Sequence, residues 1–149
     1  FEEVKSFVSN RYWNYDVEDN AYAILRNKNG TVAMIHSSAT QWQHSFKLEI
    51  TLKKGYMELS GILSGSKSYG QERLIIVPRQ ENSIVGSLKE EVISYIQDTS
   101  WNDEVVEFAD LIVNDKPVEN GSSYDALKVM ELVYSIYCAD SEWKNNYNI

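Results

Sequence analysis

Phe46-Lys47-Leu48-Glu49-Ile50-Thr51-Leu52 alternates apolar and polar side chains without a break. A period of two is the signature of a strand whose faces differ, one meant for a core and one for water. Lys53-Lys54-Gly55 then turns the chain, and Tyr56-Met57-Glu58-Leu59-Ser60 is its expected hairpin partner.

The same chemistry extends in both directions. Residues 4–13 are rich in Val, Phe and Tyr and read as a strand. Residues 18–27 form a second, with Ala21, Ala23 and Leu25 on one face and Tyr22 and Ile24 on the other. Asn29-Gly30 follows, a strong hairpin signal because both residues tolerate φ > 0. Residues 31–40 return. Beyond the central hairpin, residues 61–70 are a Gly/Ser loop, and residues 71–77, with Arg73-Leu74-Ile75-Ile76-Val77, are a strand stopped by Pro78. Residues 79–87 are polar and expected to be mobile. Residues 88–97 could be helical or extended, and their β-branched and aromatic content favours a strand.

The period then changes. Ser100-Trp101-Asn102-Asp103 has the form of a helix start, and Val105, Phe108, Ala109 and Ile112 follow at helical spacing. Asn114-Asp115-Lys116-Pro117 ends that helix. Ser122-Ser123-Tyr124-Asp125 opens another, whose apolar stripe is Ala126, Leu127, Met130, Val133, Tyr134 and Tyr137. Residues 144–149 read as a frayed tail. Strands followed by helices predict an α+β fold: one open, mostly antiparallel sheet with C-terminal helices on one face, in a single domain over residues 1–149.

The 149 residues carry 14 Lys and Arg against 22 Asp and Glu, a net charge of −8. Nucleic acid and anionic membrane surfaces are therefore not expected partners, since both call for a basic patch. One cysteine, Cys138, permits no internal disulfide and fits a cytoplasmic setting. In its apolar helical context it reads as a small core or half-buried residue. The chain opens on Phe1 inside strand-like sequence, so it is expected to be a piece of a longer protein.

Neither G-x-G-x-x-G nor a Walker A loop is present. Two histidines eight apart, His36 and His44, with one cysteine do not have zinc-ligand spacing, so no metal is expected. No nucleophile elbow supports a Ser-His-Asp hydrolase. The segment from His36 to His44 is richer. His, Ser, Thr and Gln side chains there stand beside Trp42, and polar groups next to a flat apolar face suit a sugar-like ligand; the competing reading is a polar strand end with one packed Trp. Arg11, Tyr12, Trp13 and Tyr69 have a similar character. Glu18-Asp19 reads as a structural hydrogen-bonding pair.

Val17-Glu18-Asp19-Asn20-Ala21, Asn29-Gly30-Thr31, His36-Ser37-Ser38, Leu48-Glu49-Ile50 and Gly55-Tyr56-Met57-Glu58-Leu59, in this order, resemble the C-terminal domain of the glucose–fructose oxidoreductase/inositol dehydrogenase (Gfo/Idh/MocA) family. The ending is similar too, in Val105-Val106-Glu107-Phe108, in Pro117-Val118-Glu119-Asn120-Gly121 and in Asp125-Ala126-Leu127-Lys128-Val129-Met130. The resemblance implies a dihydrodipicolinate-reductase-like C-terminal domain. Its parent would bind NAD or NADP in an N-terminal Rossmann domain that lies outside this chain, and would oxidise or reduce a sugar, nucleotide-sugar or cyclitol. The family's Glu-Lys-Pro lysine and Asp/His pair match no position here, so no catalytic or cofactor-binding residue is expected in this chain, and none of the cofactor is expected to bind it. By the same analogy the sheet supports homo-oligomer contacts, and Arg11, Gln41, Trp42 and His44 are the expected substrate contacts. A non-enzymatic homodimeric sheet domain that binds a ligand or protein partner remains the alternative.

Overall fold

The computed structural model describes residues 1–80 and 89–149. The chain divides into two compact units, Phe1–Thr40 with Lys116–Ile149, and Gln41–Asp115. Seven strands and three helices make it an α+β protein with antiparallel sheets. The strands lie in two ladders, β1-β2-β3 and β4-β5-β6-β7, rather than in the single sheet expected. Which strands share a sheet depends on hydrogen bonds between distant segments, and a local period does not encode them.

In the first unit, β1 (Glu3–Ser9), β2 (Asn20–Arg26) and β3 (Val32–Ser38) form a meander. The turn between β2 and β3 uses only Gly30 at positive φ (+80°), with Asn27 and Thr31 closing it by a 3.0 Å backbone bond. A tight two-residue Asn-Gly turn would need both residues there, so this is a longer hairpin loop. Helix α2 (Ser123–Ala139) packs on the sheet. Ala23, Leu25 and Ile136 are its buried core, with Val4, Val8, Ala33 and Leu132 packed around them. Buried Ser6 donates its hydroxyl to the Ile136 carbonyl at 2.6 Å, tying β1 to α2.

The buried seam of α2 therefore runs through Leu132 and Ile136. Leu127, Met130 and Tyr134 of the expected stripe are exposed, because the face that carries Leu132 and Ile136 is the one that meets the sheet. Ser122 and Asp125 form the expected reciprocal cap, each side chain bonded to the other's backbone N–H. Cys138 is free and half-buried, as read.

The expected frayed tail is instead helix α3 (Ser141–Tyr147). Asp140 caps it through the backbone N–H groups of Glu142 and Trp143, and also accepts from Val8 N at 2.8 Å. Trp143 is buried, and its ring stacks on Tyr147 at 4.1 Å. One anchored aromatic gives this short helix the tertiary support it lacks alone.

In the second unit, β4 (Lys47–Leu52), β5 (Gly55–Ser60), β6 (Arg73–Pro78) and β7 (Glu91–Ser94) form another meander. The ambiguous segment around Val92 is a strand. Residues 81–88, which take in most of the 79–87 stretch expected to be mobile, lie outside the described residues. The alternation of β4 is real, but its apolar face is not buried here: Leu48, Ile50 and Leu52 are all exposed. Helix α1 (Ser100–Val113) buries none of its residues. Its N-cap is Thr99, one residue earlier than the Ser-x-x-Asp pattern predicts, and Ser100 bonds back to Asp98 instead.

Candidate functional site

The second unit holds a cleft of about 550 Å³ at one end of its sheet. Strand register builds its floor. Lys47 pairs with Ser60, and Ser60 with Arg73, so three side chains stand in a row on one face. The walls come from the segment before β4, with Gln41, Gln43 and His44, and from the Gly/Ser loop, with Tyr69 and Gln71. Gly61 closes the corner. Its N–H bonds the Phe46 carbonyl at 3.0 Å, and its φ of +73° lets the chain pass against Gln71.

His44 is held from two sides. Its Nδ1 is 2.7 Å from Ser68 Oγ, and its ring lies 5.0 Å from that of Tyr69. Ser68 continues through Ser66 (2.8 Å) to Ser64 (3.2 Å), a short run of hydroxyls. Among the described residues no carboxylate bonds His44, so it lacks the acid that orients a catalytic base in a triad.

Beside the cleft, Glu49 and Glu58 stand directly opposite each other, a like-charge pair that would ordinarily weaken the ladder. Lys47 resolves it, with Nζ 3.1 Å from both carboxylates. The Tyr56 hydroxyl lies 2.8 Å from Glu49 and 2.7 Å from Glu58, and its one proton serves either in turn. Bonding to Tyr56 first, then to Lys47, holds both carboxyls below their ordinary range. The same carboxylates push the Tyr56 hydroxyl well up and raise Lys47.

Gln41 and His44, two of the residues singled out in the sequence, both line this cleft. Trp42 flanks them, 85% exposed. Arg11 belongs to the first unit, where it lines a separate cleft with Trp143 and Tyr147 and pairs with Glu142 at 3.4 Å. Ser38 bonds Thr40, Thr40 in turn bonds Asn20, and His36 stacks on Tyr22 across the β2–β3 pair at 4.3 Å. The boundary between the units falls between Thr40 and Gln41, so the segment from His36 to His44 is divided. Lys47, Gln71 and Arg73 were not singled out.

The first unit has an aromatic cleft of about 370 Å³, where Trp13 and Tyr15 lie nearly parallel with centroids 6.4 Å apart. Asp19 shapes it as the structural residue expected. Its carboxylate accepts from Tyr12 N (2.7 Å), Trp13 N (3.3 Å), Ser9 Oγ (3.3 Å) and Asn20 Nδ2 (3.0 Å). The Tyr12 bond leads in lowering its pKa.

Among the described residues every strand pair is antiparallel, so they do not build the βαβ phosphate cradle of a dinucleotide site. They contain no cluster of three or more His, Cys, Asp or Glu placed to hold a metal ion. No described helix is long and apolar enough to cross a membrane.

Residues 1–58 match the family model described as the GFO/IDH/MocA C-terminal domain, which supports a Gfo/Idh/MocA C-terminal domain. The matched segment runs from β1 into β5. No curated protein matches the chain, and no solved structure does.

Proposed function

We propose that this chain is the substrate-binding and oligomerisation part of an NAD(P)-dependent oxidoreductase acting on a hydroxyl or keto group of a sugar, nucleotide-sugar or cyclitol. The observation that carries the reading is the cleft around His44. Amide, hydroxyl and imidazole groups converge there beside the Tyr69 ring, and such a set can read hydroxyls at a ring's edge while the aromatic covers its face. The family of residues 1–58 supports the oxidoreductase class of the parent. The dinucleotide would be held by another domain, as the antiparallel topology described here offers it no phosphate cradle.

The test is kinetic, in the full-length enzyme. Trp42→Ala with His44→Ala is expected to raise KM or lower kcat; unchanged kinetics refute the substrate role. The chain alone is expected to show no micromolar affinity for NAD(H), and such binding would contradict the division of labour. The second reading, a non-enzymatic sheet domain, draws on the apolar row Leu48, Ile50 and Leu52, which this chain leaves exposed. That row also supports self-association through the sheet, so light scattering alone does not separate the two; activity of the full-length protein does.

A further inference from the structure

Among the described residues, none supplies Arg73 with a counter-charge in the cleft. Lys47, two strands and about 10 Å away, is neutralised by Glu49 and Glu58. Arg73 donates instead to a neutral group, Gln71 Oε1, through Nε (3.1 Å) and Nη2 (2.7 Å). That arrangement fixes the guanidinium plane and uses two of its five N–H donors, leaving three aimed elsewhere. Among the described residues no carboxylate lies within ion-pair distance of it, although acidic side chains outnumber basic ones by 22 to 14 in the sequence. Ser60 stands beside it in register, and His44 and Tyr69 line the same cleft.

We infer that the ligand of this cleft carries an anionic group, a carboxylate or a phosphate, seated on Arg73, while a hydroxyl-rich ring meets His44 and Tyr69. The inference rests on the sugar-like reading above and adds the charge of the substrate. A planar, pre-oriented guanidinium suits both oxyanions. Because Arg73 is exposed, the gain over a neutral ligand is modest, about 10-fold.

Calorimetric titration of the chain with methyl β-D-glucoside, D-glucuronate, D-glucose 6-phosphate and inorganic phosphate tests it. At least one acidic sugar is expected to bind about 10-fold more tightly than the glucoside. The advantage shrinks at high salt. R73Q abolishes it and R73K keeps part of it. Glucuronate against the 6-phosphate tells carboxylate from phosphate. Equal affinity for neutral and acidic sugars overturns the inference and leaves the sugar reading standing, as does a preference that survives R73Q. Inorganic phosphate binding that R73Q removes, with no sugar bound, supports the anion seat and overturns the sugar reading. Silence from all four probes overturns both.

Discussion

Gly61→Ala tests how the cleft is held open. Gly61 has φ of +73°, and a Cβ there would lie 2.3 Å from the Gln71 carbonyl oxygen, 2.7 Å from its carbon and 3.1 Å from Glu72 N. All three are backbone atoms, so no side-chain rotation relieves the overlap. The left-handed conformation costs an alanine roughly 1–2 kcal/mol. Forcing the start of β6 away adds about 1–3 kcal/mol of overpacking strain, and loosening the bond from Gly61 N to Phe46 O about 1 kcal/mol more. The total is about 3–6 kcal/mol, a large share of a typical domain's roughly 5–15 kcal/mol. Gly30→Ala is the control. Its φ is +80°, but nothing lies within 4 Å of the added Cβ, so only the conformational cost of about 1–2 kcal/mol applies. Urea unfolding at 25 °C, followed by circular dichroism and tryptophan fluorescence, compares the two. A Gly61 variant no less stable than the Gly30 variant refutes the close-approach argument. Displacing Gln71 also moves the partner of Arg73, so any affinity for an acidic sugar should fall alongside stability.

Leu25 is 1% exposed at the centre of the first unit's core, and Leu25→Ala should cost about 2–5 kcal/mol; a loss under about 1 kcal/mol in urea would mean that the site collapses or is not core. Ser122→Ala removes the hydroxyl half of the α2 cap and should cost about 1 kcal/mol, read as a shifted urea midpoint. The Glu49–Glu58–Lys47–Tyr56 cluster predicts an acid response. Both carboxyls sit below their ordinary value of 4.5 in the folded state, so their stabilisation is present above pH 4.5 and is lost as pH falls through the lower folded values. The E49Q/E58Q variant should therefore lose less stability than the wild type between pH 5 and pH 3; parallel pH profiles would sink that reading.

Element identity is a local property, and much of it was legible in the chain. The period-two run in β4, the capping box at Ser122 and the glycine at 30 each specify their element through atoms only a few residues apart. Elements that needed a distant partner were read less well. Residues 144–149 looked frayed because Trp143 has no local reason to be buried; its burial comes with a cap that also binds β1. The stripe of α2 left out Leu132 and Ile136 because sequence shows which residues are apolar and not which face the sheet covers.

The site divides along the same line. His44, Gln41 and Tyr69 stood out by residue type within short polar segments, whereas Lys47, Ser60 and Arg73 became neighbours only through the register of three strands. Arg73 looks like an ordinary strand-end cation until its surroundings show a neutral amide where a carboxylate could have been. By itself, then, the sequence determined the α+β class, the order of the strands and of the first two helices, and the polar residue types around His44. The tertiary structure decided the two-ladder arrangement, the docking of α3 and the charge inside the cleft. The physical reason is that backbone preference, capping and periodicity act over a few residues, while pairing register and the placement of a counter-charge depend on which distant segments meet.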